Sequence, residues 1–192
     1  MKKFVISLLS VIFLCAAATA QVLVGMTDTT AYFPQLEGRR VAVLANHTVV
    51  ARFGDGAPGV AADAAVRLPG AASDGTIHLV DLLHGRGFDV TGIFSPEHGF
   101  RGTADAGEHV ASSVDAATGI PIRSLYDGNT KRPSDEAMRS FDVLVVDMQD
   151  VGLRFYTYYI TMLRMMDACA ESGRSVIVLD RPNPNGHHVD GP

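Results

Sequence analysis

The stretch Phe141-Asp142-Val143-Leu144-Val145-Val146 is the clearest strand in this chain of 192 residues, because valine-rich apolar runs of this length are typical of buried strands. A long helical pattern follows at residues 156–171 and stops at Gly173, and the apolar run 175–179 predicts another strand. The apolar side of that helix is predicted to carry Ile160, Leu163, Met166 and Ala170. A strand, a helix and a strand in succession predict a parallel pair joined by a right-handed crossover.

The same alternation extends towards the N-terminus. Further strands are predicted at residues 41–45, 89–94 and 121–126, and further helices at 76–84 and 134–139. Residues 49–74 are rich in alanine and glycine, and we expect an irregular segment there with one short helix near 60–66. The predicted fold class is therefore α/β, with a mainly parallel sheet and flanking helices.

Residues 1–20 have the organisation of a secretory signal peptide. Lys2 and Lys3 precede an apolar core at residues 4–14, and Ala18-Thr19-Ala20 is a small-residue cleavage site. We therefore expect a secreted or periplasmic protein, with no stable membrane insertion after cleavage. Residues 21–192 are left as one domain, and about 170 residues can bury one sizeable core.

Composition excludes several classes of protein. The net charge of −5, the pI near 5.7 and the lack of a basic run argue against a nucleic-acid partner. After signal cleavage Cys169 is the only cysteine, which excludes an intramolecular disulfide and a cysteine-based zinc site. The Gly-x-Gly-x-x-Gly pattern after the first strand is absent, so a dinucleotide cofactor is not expected. The oligomeric state is not predicted by any pattern in the chain.

Polar residues follow four of the predicted strands at the points where the strands end. These polar clusters are Asn46-His47, residues 95–101, residues 147–154 and residues 180–185. Ligands of open parallel sheets bind beyond the carboxyl ends of the strands. Four clusters at one edge therefore predict a single ligand-binding crevice.

The second cluster begins the richest concentration of ionisable groups in the chain. Glu97 and Glu108 lie within fifteen residues of the strand end, and paired carboxylates can perform acid/base chemistry on a glycosidic bond. Glu97 is our candidate for the proton donor, although it could instead cap the next element or pair with Arg101. Glu108 is the candidate base or stabiliser of the transition state, with a solvated loop charge as the alternative and Asp105 as a competitor.

A metal centre is a weaker interpretation of the same residues. Four side chains could gather around a divalent ion: His98, Asp147, Asp150 and Asp180. No suitably spaced histidine pair supports such a site, so we expect no metal. Tyr156, Tyr158 and Tyr159 could line the cleft or pack against the sheet, and Asn183 and Asn185 are explained by turn formation alone.

Four blocks of this chain resemble those of a known family. The blocks are Ser95-Pro96-Glu97-His98-Gly99-Phe100-Arg101-Gly102, Ala106-Gly107-Glu108, the stretch DMQDVGLRFYTY at 147–158, and the stretch DRPNPNG at 180–186. In this order they resemble the signature blocks of the NamZ-type exo-β-N-acetylmuramidases, formerly a bacterial domain of unknown function. The resemblance covers nearly the whole mature chain, from about Gly38 onward.

The resemblance implies a Rossmann-like N-terminal domain that carries the catalytic residues, with a smaller C-terminal domain that helps to shape the cleft. It also implies removal of terminal N-acetylmuramic acid from the non-reducing end of peptidoglycan fragments during cell-wall turnover, without a cofactor. Glu97 and Glu108 are then the expected catalytic pair. The expected substrate-binding residues are Asn46, His47, His98, Arg101, Asp147, Asp150, Arg154 and Tyr158.

The arginines have a specific expected role, because a guanidinium binds a carboxylate through two hydrogen bonds. Arg101 or Arg154 could hold the lactyl carboxylate that distinguishes N-acetylmuramic acid from N-acetylglucosamine. An internal ion pair with Asp147, Asp150 or Glu97 is the alternative, and we expect one of the two arginines to be structural.

Two other functions compete with this interpretation. The chain could be a non-catalytic glycan-binding module, or it could be a metal-dependent hydrolase or esterase. Within the glycosidase interpretation, the sequence is compatible with retaining, inverting and substrate-assisted mechanisms. In the substrate-assisted mechanism the N-acetyl group of the sugar attacks the anomeric carbon, and Glu108 or an aspartate only orients that group.

Overall fold

The computed structural model describes residues 23–53, 70–97, 99–101, 112–125 and 132–188. A 3-10 helix at Gly25–Thr27 opens this part of the chain. The helices that follow are α1 (Thr29–Leu36), α2 (Leu79–Gly85), α3 (Asp135–Arg139) and α4 (Tyr158–Glu171). The strands are β1 (Arg40–Leu44), β2 (Val50–Arg52), β3 (Thr76–His78), β4 (Asp89–Ser95), β5 (Ser113–Val114), β6 (Pro121–Ser124), β7 (Val143–Val146) and β8 (Ser175–Val178).

Six strands form one sheet in the order β5-β6-β4-β1-β7-β8. All neighbours in it pair in parallel except β5, which runs antiparallel to β6. The chain moves outward from β1 through β4 to β6 and then returns to β7 and β8 on the other side of β1. The order therefore reverses between β1 and β7, which is the topological switch point of a Rossmann-like sheet. The predicted α/β class with a mainly parallel sheet is confirmed.

The core has two layers because alternate residues of each strand face opposite sides of the sheet. On one side Val41, Val43 and Val145 pack with α1 and α2. On the other side Leu44, Leu144 and Val146 pack with α3 and α4. Both faces are covered by helices, which explains why the central strands are apolar along their whole length.

The predicted helix at 76–84 is partly wrong. Residues Thr76–His78 form β3, which pairs antiparallel with β2, and the helix begins only at Leu79. His78 sets this boundary because its ring Nδ1 accepts a hydrogen bond from the Val80 N–H at 3.2 Å, as a helix cap does. The β2–β3 pair and helix α1 were not predicted, and the short helix expected near 60–66 lies outside the described residues.

The apolar side predicted for the last helix is also wrong. In α4, Leu163 is 47% exposed and Met166 is 37% exposed. The buried side instead carries Tyr158, Thr161, Met165, Ala168 and Cys169. This helix has apolar residues on two sides, and small residues such as Ala168 and Cys169 let it approach the sheet closely. Burial raises the pKa of the Cys169 thiol to about 11, so it remains protonated and unreactive at neutral pH.

Within the described ranges, no helix has both the length and the apolar character needed to cross a membrane.

Candidate functional site

The candidate crevice lies at the carboxyl edge of the sheet, around the switch point. The strands β4, β1, β7 and β8 are parallel neighbours, so the four polar clusters that follow them lie along one edge. Because β4 and β7 flank β1, their ends are roughly 10 Å apart, or two interstrand spacings of about 4.8 Å.

Glu97 is held in a tight turn that follows β4. Pro96 is buried, and the Gly99 N–H donates to the Pro96 carbonyl at 3.3 Å. Gly99 has a φ of 78°, a conformation that favours glycine. The half-buried Glu97 carboxylate accepts a hydrogen bond at Oε2 from the Thr157 hydroxyl, at 2.8 Å. Glu97 is therefore oriented from the opposite side of the crevice by a residue that we did not predict.

Arg101 anchors the other end of this turn. Its guanidinium donates to Asp81 Oδ1 at 3.0 Å and to Asp115 Oδ2 at 2.9 Å, and both aspartates are only 5% exposed. It also lies over the Phe100 ring, 4.7 Å from the centroid. The hydrogen bond to Asp81 is the largest cause of the raised pKa of Arg101. Burial alone would raise the pKa of Asp115, but hydrogen bonds from Arg101 and Thr118 outweigh it and lower that pKa.

Arg101 consequently has a structural role, because its carboxylate partners both belong to the domain itself. Its partners, Asp81 and Asp115, differ from the carboxylates that we considered, because they lie in α2 and just after β5. We expect Arg101→Met to leave two buried carboxylates unpaired and to lower the free energy of unfolding by about 2–3 kcal/mol. This is less than for a fully buried pair, since the Arg101 side chain is 35% exposed.

Urea denaturation measures this loss, and Arg164→Met is the matched control because Arg164 is exposed. The control should change the free energy of unfolding little. A raised KM with unchanged stability in Arg101→Met would instead support direct contact between Arg101 and the substrate.

Asp147 also has an internal partner. Its carboxylate is 1% exposed and forms a buried ion pair with Arg181, whose Nη2 donates to Asp147 Oδ2 at 3.0 Å. Arg181 Nη1 donates in addition to the Val50 carbonyl at 3.1 Å. Burial raises the pKa of Asp147, and the hydrogen bonds from Arg181 oppose that shift. The contact joins the end of β7 to the 180–185 cluster and to β2. Asp147 therefore supports the crevice from the protein interior.

Asn46 and His47 follow the central strand β1. Asn46 is fully buried, and its Oδ1 accepts from the backbone N–H and the hydroxyl of Thr48 at 3.0 and 2.6 Å. Its carbonyl lies 3.0 Å from His78 Nε2. Burial lowers the pKa of His78, and a neutral ring that accepts at Nδ1 donates from Nε2. Asn46 thus organises the strand end, whereas His47 is exposed at the edge.

Asp150 lies beside a small cavity of about 150 Å³ at the ends of β7 and β8. The cavity is lined mainly by apolar and aromatic side chains, including Met148, Met162 and Tyr159. Asp150 Oδ1 accepts from the Gly152 N–H at 2.6 Å, whereas Oδ2 is buried and lacks a hydrogen-bond partner among the described residues. An N–H group of a ligand would supply the missing donor.

The loops after β7 and β8 are joined into one wall. Gln149 Nε2 donates to the Pro182 carbonyl at 3.1 Å, and Asn185 Nδ2 donates to the Val151 carbonyl at 2.8 Å. The Asn185 N–H donates to Asn183 Oδ1 at 2.9 Å, which confirms the predicted turn. These bonds hold the segment that carries Asp150 and Arg154.

Two tyrosines line the cavity beside Asp150, Tyr158 and Tyr159. Tyr158, a predicted substrate-binding residue, is 4% exposed and makes an edge-to-face contact with Tyr156 at 4.9 Å. Tyr159 is 36% exposed, and its hydroxyl donates to the Arg154 carbonyl at 3.2 Å. The more exposed side chain of the two at this cavity is therefore that of Tyr159.

Several predicted residues lie outside the described part of the chain: His98, Asp105 and Glu108. Among the residues that are described, no three histidine, cysteine, aspartate or glutamate side chains come together as a metal site.

Comparison with known proteins places the chain in a family. The family described as exo-β-N-acetylmuramidase NamZ, N-terminal, matches residues 64–192. The chain belongs to this family. The resemblance carried by the four sequence blocks is confirmed.

Characterised and structural relatives of the NamZ family agree with this placement. Peptidoglycan β-N-acetylmuramidase NamZ of Bacillus subtilis (strain 168) is 39% identical over 163 residues, covering 84% of this chain and 34% of that protein. Two DUF1343 family proteins from Bacteroides fragilis NCTC 9343 have crystal structures similar to this one. One is 46% identical with a TM-score of 0.66, covering 90% of this chain and 38% of its own. The other is 34% identical with a TM-score of 0.63, covering 85% of this chain and 35% of that protein.

The chain thus spans roughly a third of the length of these NamZ-family relatives.

Proposed function

We propose that this chain carries the catalytic residues of an exo-β-N-acetylmuramidase, which releases terminal N-acetylmuramic acid from the non-reducing end of peptidoglycan fragments. The observation that carries the proposal is the half-buried Glu97 carboxylate, oriented by Thr157 at the crevice edge of a NamZ-family domain. The relative from Bacillus subtilis, named as a peptidoglycan β-N-acetylmuramidase, supports the substrate class. The signal-like residues 1–20 support action outside the cytoplasm, in cell-wall turnover.

Glu97 is the proposed proton donor to the leaving glycosidic oxygen. Its position in a rigid turn meets the main requirement of a general acid, which is a fixed location against the scissile bond. Glu108 is the proposed second carboxylate, acting as base or as stabiliser of the oxocarbenium-like transition state. No cofactor is needed for this chemistry.

The cavity beside Asp150 fits the acetamido group of such a sugar. Its apolar lining suits a methyl group, and Asp150 Oδ2 would accept the amide N–H. An aspartate in that position orients the amide oxygen for attack on the anomeric carbon, and in such a substrate-assisted route this oxygen takes over the stabilising role otherwise proposed for Glu108. Asp150 and Asp180 make the cavity unsuitable for the lactyl carboxylate, which we assign to the exposed Arg154.

The decisive experiment uses the natural full-length protein and the disaccharide in which N-acetylmuramic acid is β-linked to N-acetylglucosamine. We expect both monosaccharides to appear in equal amounts, at the same rate before and after exhaustive chelation with EDTA. Binding without release would contradict the enzymatic proposal and support a glycan-binding module. Loss of activity on chelation and recovery with a divalent ion would instead support a metal-dependent hydrolase.

A further inference from the structure

We propose that Thr157 is a positioning residue for catalysis, which fixes the carboxyl group of Glu97 and directs its transferable proton onto Oε1. The inference rests on the proposed role of Glu97 as proton donor. Thr157 lies within the 147–158 block, but the sequence did not connect it to Glu97, because the two residues are 60 positions apart in the chain.

The contact itself is well formed. Thr157 Oγ1 donates to Glu97 Oε2 at 2.8 Å, a normal length for a hydroxyl-to-carboxylate hydrogen bond, and both residues are half-buried. It is the one hydrogen bond that Glu97 makes to the described residues. The orientation of Glu97 relative to the crevice therefore depends strongly on this hydroxyl.

The hydroxyl of Thr157 does not cap helix α4. It occupies the N-cap position of α4, where a threonine hydroxyl ordinarily accepts a hydrogen bond from a backbone N–H of the first turn. Here no such bond is made, and the backbone angles of −86° and −11° are helical rather than extended. The helix therefore lacks the roughly 1 kcal/mol that a threonine cap supplies, and the hydrogen bond of this hydroxyl is the one to Glu97.

The backbone around Thr157 is nevertheless firmly held. Its carbonyl accepts from the Thr161 N–H at 3.0 Å and from the Thr161 hydroxyl at 3.0 Å. The neighbouring rings of Tyr156 and Tyr158 pack edge to face. Because the donor is fixed before substrate binds, it can orient the carboxyl group without reorganisation during the reaction.

The hydrogen bond favours Oε1 of Glu97 as the carrier of the proton. With the proton on Oε1, the Thr157 hydroxyl donates to Oε2 both before and after the transfer, whereas a proton on Oε2 would require the hydroxyl to turn and accept. Proton transfer then moves this hydrogen from Oε1 to the glycosidic oxygen, and the developing carboxylate keeps its hydrogen bond from Thr157. The bond also strengthens as negative charge develops, which assists the transfer.

The test compares Thr157→Val, which keeps the shape and removes the donor, with Thr157→Ser, which keeps the donor. Two substrates are compared. The natural disaccharide has a leaving group that needs a proton. The 4-nitrophenyl β-glycoside of N-acetylmuramic acid has a leaving group that needs almost no protonation. For Thr157→Val we expect kcat on the disaccharide to fall roughly 10- to 100-fold, part of the 10²–10⁴-fold that a general acid supplies. KM should change less than about twofold, and kcat on the nitrophenyl substrate should fall by less than about threefold. Thr157→Ser should keep kcat on both substrates close to the wild-type value.

Three results would overturn the inference. The first is an equal loss of kcat on both substrates. The others are a loss in Thr157→Ser as large as in Thr157→Val, and full activity of Thr157→Val. Thr157→Ala gives the same comparison if the valine variant does not fold. Adding Thr157→Val to Glu97→Gln should cause little further loss, because the two residues act as one unit. Full activity of Glu97→Gln would reject the role of Glu97 itself, whereas a dead Glu97→Gln beside a fully active Thr157→Val would reject this inference alone.

Discussion

Replacing Glu97 with glutamine is expected to lower kcat for release of N-acetylmuramic acid from the disaccharide by roughly a hundredfold or more. Glutamine has nearly the same shape and can still accept the hydrogen bond from Thr157, so the turn between Pro96 and Gly99 should be preserved. What it lacks is a transferable proton. The loss should therefore appear in kcat, while KM stays within about twofold of the wild-type value.

The leaving group distinguishes loss of a proton donor from damage to the crevice. A 4-nitrophenyl leaving group departs as a stabilised anion, so Glu97→Gln should cleave this substrate with a much smaller defect than the disaccharide. The matched control is Glu37→Gln, an exposed glutamate that precedes β1 at the opposite edge of the sheet. Steady-state kinetics on both substrates make the comparison, and equal defects would argue against proton donation by Glu97.

Breaking the Asp147–Arg181 pair is expected to have the largest effect on stability. Asp147→Asn leaves the Arg181 guanidinium, whose side chain is 7% exposed, without a counter-charge. Removing one partner of a buried ion pair typically costs roughly 3–5 kcal/mol, since the remaining charge is left desolvated. Denaturation by urea should show this as a lower midpoint with an unchanged slope.

The double variant Asp147→Leu/Arg181→Met shows whether the cost comes from the unpaired charge. With both charges removed, much of the stability should return, because apolar replacements of a buried ion pair are often tolerated. Glu171→Gln is the control: Glu171 pairs with Arg132 at the surface, both side chains are more than half exposed, and little change is expected there. A small effect of Asp147→Asn would mean that the pair does not hold the crevice wall.

The sheet and the location of the crevice could be predicted because they depend on local patterns. The apolar runs at 41–45, 89–94 and 143–146 are strands, and the polar residues that follow them share one edge. The antiparallel pair of β2 and β3 was missed because both strands have only three residues. The buried side of α4 was misassigned because apolar residues occur on two of its sides, and only packing against the sheet distinguishes them.

The partners of the charged residues could not be predicted, since they come from distant parts of the chain. Arg101 binds aspartates 20 and 14 residues away, and Asp147 binds an arginine 34 residues away. Sequence predicted that one of two arginines would be structural but not which carboxylates it would pair with. Thr157 was overlooked because it lies inside the helix predicted at 156–171 and its partner Glu97 is 60 residues away.

The central claim is that Glu97 donates the proton that breaks the glycosidic bond. The most direct test is the time course of N-acetylmuramic acid release from the disaccharide by the natural full-length protein and its Glu97→Gln variant, followed by mass spectrometry, with disaccharide affinity measured by calorimetry. We expect the variant to release N-acetylmuramic acid at least about a hundredfold more slowly and to bind the disaccharide with an affinity within about twofold of the wild-type value. Release at the wild-type rate would contradict it.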